Sequence, residues 1–171
     1  MTLVAAPSAG RRQALATLSG AGLGLALHGA LAAAEPRPVV WPAVRTLDGQ
    51  SLSAPWLQGR ATLLVFFSTN CPYCRRHITR LTLLQQRLPA LPMQVLLAAQ
   101  DSPAAAVPGY LAERGWRFAT TLDSAALHAA LSQRRVVPLT CMIDRAGLLR
   151  EVIPGEMAED DVLGLARWAQ A

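Results

Sequence analysis

Two cysteines separated by two residues, Cys71-Pro72-Tyr73-Cys74, are the part of this chain best equipped for chemistry. A thiolate is the nucleophile in disulfide exchange. A second thiol one helical turn away can close an intramolecular disulfide and release a mixed one. Cys71 is placed to attack and Cys74 to resolve. Tyr73, between them, is expected to cover the disulfide or contact substrate rather than join the core. The same spacing could be half of a zinc site, but that needs four ligands, usually a second Cys-x-x-Cys or a closely spaced His pair. The remaining candidates, Cys141, His77 and His128, form no such pair, so no metal is expected.

The flanking residues say how the pair would be held. Thr62 to Phe67 is a short run rich in β-branched and aromatic types, bounded by Ser68, Thr69 and Asn70, which predicts a buried strand and then a turn. From Pro72 onward Ile78, Leu81, Leu84 and Leu88 recur at helical spacing. Pro72 suits a first helical position, where its missing N–H would have had no partner. Cys71 therefore sits where strand hands over to helix. First-turn N–H groups and the helix dipole favour a thiolate there. Cysteines so placed have pKa values drawn from about 8.5 into the range of about 3.5 to 7.5. Arg75 and Arg76 add positive charge nearby, as exposed side chains of modest effect.

The chain has 171 residues, enough for one domain with a proper core. All basic residues are Arg, and the net charge is +5. Without residues 1–34 it is +3, from 14 Arg against 11 acids. The Arg residues are scattered rather than striped, which excludes a nucleic-acid footprint. At the N-terminus Arg11-Arg12 precede a long uncharged stretch ending in Ala32-Ala33-Ala34. A basic start, an apolar middle and a small-residue end make a secretory signal. The paired Arg and the glycine-rich apolar stretch resemble the twin-arginine type, with Ala14 where a bulkier residue is usual. The chain is expected to divide into this signal, 1–34, cleaved or else kept as a membrane anchor, an extended lead-in, 35–43, and one domain, 44–171. Either fate places the domain in the periplasm or otherwise outside the cytoplasm, where disulfides persist.

Within the domain, Asp48-Gly49 between short apolar segments signals a hairpin over 44–53. A helical turn with Trp56 and Leu57 packing on the sheet comes next. The first long helix should stop near Leu88, ahead of Pro89 and Pro92. Met93 to Ala99 reads as a second buried strand, parallel to the first. Ser102-Pro103 carries a cap residue and a first-position Pro, so a helix is expected from there to Gly115, kinked or split at Pro108-Gly109. Asp123-Ser124 should cap a helix bearing Leu127 and Leu131. Two strands joined by Asp144-Arg145-Ala146-Gly147 and a closing helix over 159–169 complete a mixed α/β order around one sheet.

Val136-Val137-Pro138-Leu139-Thr140 joins a helix to a strand, where Pro can be plain punctuation. Taken with Leu47-Asp48-Gly49-Gln50-Ser51-Leu52-Ser53, Gly59, Leu64-Val65-Phe66-Phe67, Cys71-Pro72-Tyr73-Cys74-Arg75, Ile143-Asp144-Arg145-Ala146-Gly147 and Gly155, it carries a resemblance. The chain resembles the thioredoxin superfamily, specifically its extracytoplasmic TlpA/ResA-like thiol–disulfide oxidoreductases, over roughly residues 44–169. The resemblance implies a thioredoxin-like α/β fold: a central mixed β-sheet flanked by helices, with an N-terminal β-hairpin extension. It implies a cis bond between Val137 and Pro138. That would leave the Val137 backbone facing the cysteines, ready to pair with an extended substrate peptide. Family members are similar in using a buried acid after the second strand, near the resolving cysteine. Asp101 stands at that place, where Glu is commoner; a helix-initiating Asp is the competing reading.

Three departures bear on redox poise and substrate. Asn70 stands where the family usually has Trp, Leu139 comes between Pro138 and Thr140, and Pro72-Tyr73 looks like the dipeptide of glutaredoxins. The resemblance implies no cofactor beyond the Cys71–Cys74 disulfide, protein thiol and disulfide substrates, electrons from a membrane thiol transporter, and a monomer. It favours a reductant acting in cytochrome c maturation or on copper-site cysteines. A disulfide-donating oxidant is the alternative direction. A copper-delivery protein using Cys71, Cys74 and a His or Cys141 is the alternative class. Outside the pair, His77 is expected on a solvated helix face, His128 at the surface or satisfied in the core, and Cys141 as a small apolar core residue.

Overall fold

A computed structural model describes residues 36–100 and 104–170, within a compact unit spanning Ala32–Ala171. The expected signal, 1–34, lies outside the described residues. The elements in chain order are β1 (Arg37–Pro38), β2 (Val44–Arg45), β3 (Ser51–Leu52), α1 (Ala54–Leu57), β4 (Ala61–Phe67), α2 (Pro72–Arg87), β5 (Met93–Ala99) and α3 (Ala106–Ala112). They continue with β6 (Ala119–Thr121), α4 (Ser124–Leu131), β7 (Leu139–Ile143), β8 (Leu148–Pro154) and α5 (Glu159–Gly164). Short 3-10 turns follow α2 at Leu88–Ala90 and α5 at Leu165–Ala169. Among the described residues no helix is long and apolar enough to cross a membrane.

Six strands form a mixed sheet in the order β1-β8-β7-β4-β5-β6. β4, β5 and β6 run parallel; β7 returns antiparallel beside β4, followed by β8 and β1. β4 and β5 are buried at every position, which is why both read as unbroken apolar runs rather than alternating ones. Alternate residues feed two apolar layers. Leu63, Val65 and Phe67 face Ile78, Leu81 and Leu84 of α2 and Val162 of α5. Leu64 and Phe66 face Leu127 and Leu131 of α4 and Val44 and Leu52 of the β2–β3 hairpin. The hairpin turns at Asp48-Gly49, with Gly49 at φ 85°. It is tied to the sheet edge by Leu47 N donating to Thr120 O at 2.8 Å. The thioredoxin-like architecture with its N-terminal hairpin is thus present.

Three local outcomes differ from the sequence reading. The lead-in is not merely extended: Arg37–Pro38 pairs with β8, and the Arg37 guanidinium donates to Ala130 O and Leu131 O at the C-terminal end of α4, where a helix leaves carbonyls without partners. The third helix begins later than expected and is unbroken. α3 starts at Ala106, so Pro108 falls in its first turn, where a proline forfeits no intrahelical hydrogen bond. Ser102 and Pro103 lie outside the described residues. Asp123 occupies the cap position of α4 without a side-chain cap bond; its carboxylate instead accepts Arg45 N at 2.7 Å, fastening the hairpin to the loop.

Candidate active site

Cys71 is the N-cap residue of α2, with extended backbone (φ −94°, ψ 111°) and Pro72 next in line. Its Sγ accepts the Cys74 N–H at 3.1 Å. This is the bond a Ser or Asp oxygen makes at an ordinary helix start, here made to sulfur. The sulfur thus sits on a donor that strengthens when it becomes an anion. Cys71 is half-buried and Cys74 fully buried among the apolar side chains of α2 and β4.

The second half of the site reaches Cys71 through strand pairing. β7 lies antiparallel to β4 with Leu139 opposite Phe66. The end of β4 that leads into Cys71 and the start of β7 that follows Pro138 therefore lie at the same end of the sheet. There the Val137–Pro138 bond is cis, and Val137 O lies 3.7 Å from Cys71 Sγ. Pro138 is buried and its carbonyl accepts Gly155 N at 2.8 Å, which anchors the loop to the end of β8.

His77 does not lie on a solvated face. It is fully buried, with Nε2 3.0 Å from Thr140 Oγ1 and Nδ1 accepting the Met157 N–H at 3.4 Å. An accepting Nδ1 puts the proton on Nε2, which donates to Thr140. Burial pushes the imidazole pKa down to about 4; Arg80 pushes the same way and Glu156 opposes. The signal was present in the spacing: Cys74, His77, Ile78, Leu81 and Leu84 form one apolar stripe, and His77 falls inside it. The imidazole joins the cysteine helix to β7, two residues beyond Pro138, and to the segment before α5. Glu156 reinforces that joint. Its carboxylate accepts three bonds from Arg76, the shortest at 2.7 Å, and one from Arg80, which hold its pKa below the usual range.

Tyr73 is 57% exposed, with the Arg76 guanidinium 4.7 Å above its ring. Asp101 lies outside the described residues. Cys141 is buried on β7 facing the α4 layer, the opposite side of the sheet from Cys74, and burial pushes its thiol up to about 12. His128 is buried, not at the surface: its ring stacks 3.7 Å from Phe66, and Nδ1 lies 3.2 Å from Ser132 O. Among the described residues no group of three or more His, Cys, Asp or Glu is arranged to hold a metal ion.

Two residues at the site carried no signal in the sequence. Tyr110 and Arg114, on and just after α3, line a small open pocket with Thr69, Asn70, Cys71, Pro72 and Arg75. Nothing local marks them. They arrive because α3 packs on β4, the Tyr110 and Phe67 rings stacking at 6.3 Å.

Comparison with known proteins agrees with this geometry. The Redoxin family profile matches residues 38–166. The thiol-disulfide oxidoreductase ResA of Halalkalibacterium halodurans is 24% identical over 116 residues, covering 68% of this chain, and the chain spans 66% of that relative's length. A thioredoxin-family thiol:disulfide interchange protein from Chlorobium tepidum superposes with a TM-score of 0.71 at 24% identity, covering 81% of this chain and 99% of its own. StoA from Bacillus subtilis superposes at 0.62 and 17% identity, covering 72% and 94%. The family match spans most of the chain, and the chain belongs to the Redoxin family.

Proposed function

We propose that this protein is an extracytoplasmic thiol–disulfide oxidoreductase whose redox centre is the Cys71–Cys74 pair and whose substrates are protein thiols and disulfides. The observation that carries this reading is the double approach to Cys71 Sγ, with the Cys74 N–H donating at 3.1 Å and Val137 O at 3.7 Å. In the reducing direction the Cys71 thiolate attacks a substrate disulfide. One S–S bond breaks, a mixed disulfide forms, and the departing substrate sulfur takes a proton. Cys74, deprotonated, then attacks Cys71 Sγ. The Cys71–Cys74 bond closes, the second substrate thiol leaves, and two electrons have passed to the substrate. The Val137 backbone, beside the nucleophile, is positioned to pair with an extended substrate segment.

The direction we favour is reduction, with electrons from a membrane thiol donor and targets such as those of cytochrome c maturation. Support comes from the TlpA/ResA-like motifs, and the Arg11-Arg12 segment supports a place outside the cytoplasm. Two of the further ligands considered for the copper-delivery reading are turned to other contacts: both His77 nitrogens are hydrogen-bonded, and Cys141 faces the other layer. Insulin reduction by the dithiol protein tests the activity, and a Cys71→Ser variant that still reduced insulin would overturn it. Redox titration tests the direction: a potential below about −230 mV supports a reductant, and one near −120 mV an oxidant. Trapping with Cys74→Ser in the cell envelope should capture substrates as mixed disulfides.

A further inference from the structure

The pocket beside Cys71 is small, about 120 Å³, and the charged residues of its lining, Arg75 and Arg114, are both cationic. Ligand sites for whole small molecules run from about 300 Å³ upward, so this one suits a single side-chain end group. Arg75 opens onto it and has no ion pair among the described residues. Arg114 is held in place: its guanidinium lies 3.8 Å above the Tyr110 ring and donates to Tyr110 O at 2.9 Å. Its carboxylate contact, Glu113 at 3.3 Å, is 75% exposed and correspondingly weak. The Tyr110 hydroxyl is buried without a hydrogen-bond partner, although buried polar groups are nearly always satisfied. Burial raises its pKa, so it remains a neutral donor. The loop presenting Val137 adds Arg134 and Arg135, both exposed and without ion pairs among the described residues. The carboxylate near the other flank, Glu156, is already held by Arg76 and Arg80.

We propose that the Arg75–Tyr110–Arg114 pocket is a carboxylate subsite that selects substrate segments with an Asp or Glu close to the reacting cysteine. Two guanidinium groups and one hydroxyl would meet the carboxylate while Val137 O pairs with the substrate backbone. The inference rests on the thiol–disulfide reading, since the subsite serves the substrate of Cys71. Arg75 and Arg114 are specificity residues here; neither needs to touch the reacting sulfurs.

The test is kcat/KM for three disulfide-linked peptides that differ only beside the cysteine: Glu, Gln or Lys. At low salt the Glu peptide should exceed the Gln peptide about tenfold and the Lys peptide more, and the preference should collapse near 1 M salt. Arg114→Gln and Arg75→Gln should each bring the Glu-to-Gln ratio towards one. Tyr110→Phe, which keeps the ring under Arg114, should lower it by a smaller factor. Arg87→Gln, at the far end of α2, should leave the ratio unchanged, which separates a local subsite from net-charge steering. Equal rates for the Glu and Gln peptides, or an equal loss of preference in Arg87→Gln, would overturn the subsite while leaving the redox reading intact. Failure to turn over any of the three peptides would instead count against the redox reading itself.

Discussion

Cys71 and Cys141 carry the same side chain into opposite settings. Cys71 sits at a helix N-terminus, half-buried, with an N–H aimed at its sulfur. Cys141 sits mid-strand on β7, fully buried against the α4 layer, where burial pushes its thiol up to about 12. On the proposed reading, reactivity is conferred by the element on which a thiol stands and by what points at its sulfur. His77 lies between the two regions: it rides on the helix that Cys71 begins and bonds Thr140, the neighbour of Cys141 on β7.

Alkylation should show the contrast most strongly. Raising the Cys141 thiol from 9.0 to about 12 lowers its thiolate fraction about 1,000-fold before access is considered. Iodoacetamide added to the reduced native protein should label Cys71 and leave Cys141 untouched until the chain unfolds, as read by peptide mass spectrometry over time. Comparable labelling of both would erase the distinction. Activity should divide in the same way. Cys71→Ser should lose about 100-fold or more in insulin reduction, down to background, because the attacking sulfur is gone. Cys141→Ala should stay within about twofold of wild type.

His77 sharpens the comparison through pH. Its folded pKa, about 4, lies below the ordinary 6.5, so the unfolded chain takes up a proton first as pH falls. The stability linked to neutral His77 is complete above pH 6.5 and is lost between there and about 4. The full amount is on the order of 3 kcal/mol. Burial lowers the His128 pKa too, so it adds loss in the same direction. Urea midpoints at pH 7.5 and 4.5 should differ less in His77→Gln than in wild type. At neutral pH, His77→Ala should cost about 2–4 kcal/mol, from the cavity and the stranded Thr140 and Met157 groups. The smallest effect belongs to Cys141→Ala, about 1 kcal/mol, for losing one small core atom without a polar partner. A larger cost would mean that Cys141 does more than fill space.

Elements whose causes lie within a few residues could be read directly from the chain. β4 and α2 around Cys71, the turns at Asp48-Gly49 and Asp144–Gly147, and the late α5 start at Glu159 follow from apolar period, turn residues and caps. Local rules give way in the fold where a competing contact is available. Asp123 could cap α4, but Arg45 N claimed its carboxylate. His77 is polar, which points to solvent, but its position in the stripe of α2 sends it inward.

Residue type, turn chemistry and short-range period were enough to place a nucleophilic cysteine at a helix start and a proline at the head of a strand. They could not say what those groups meet. Pairing of β7 against β4 brings Val137 O to Cys71 and turns Cys141 to the far layer, and packing of α3 on Phe67 carries Tyr110 and Arg114 to the pocket. Those contacts join segments tens of residues apart. They are settled by sheet order and side-chain packing, which no local window of the chain encodes.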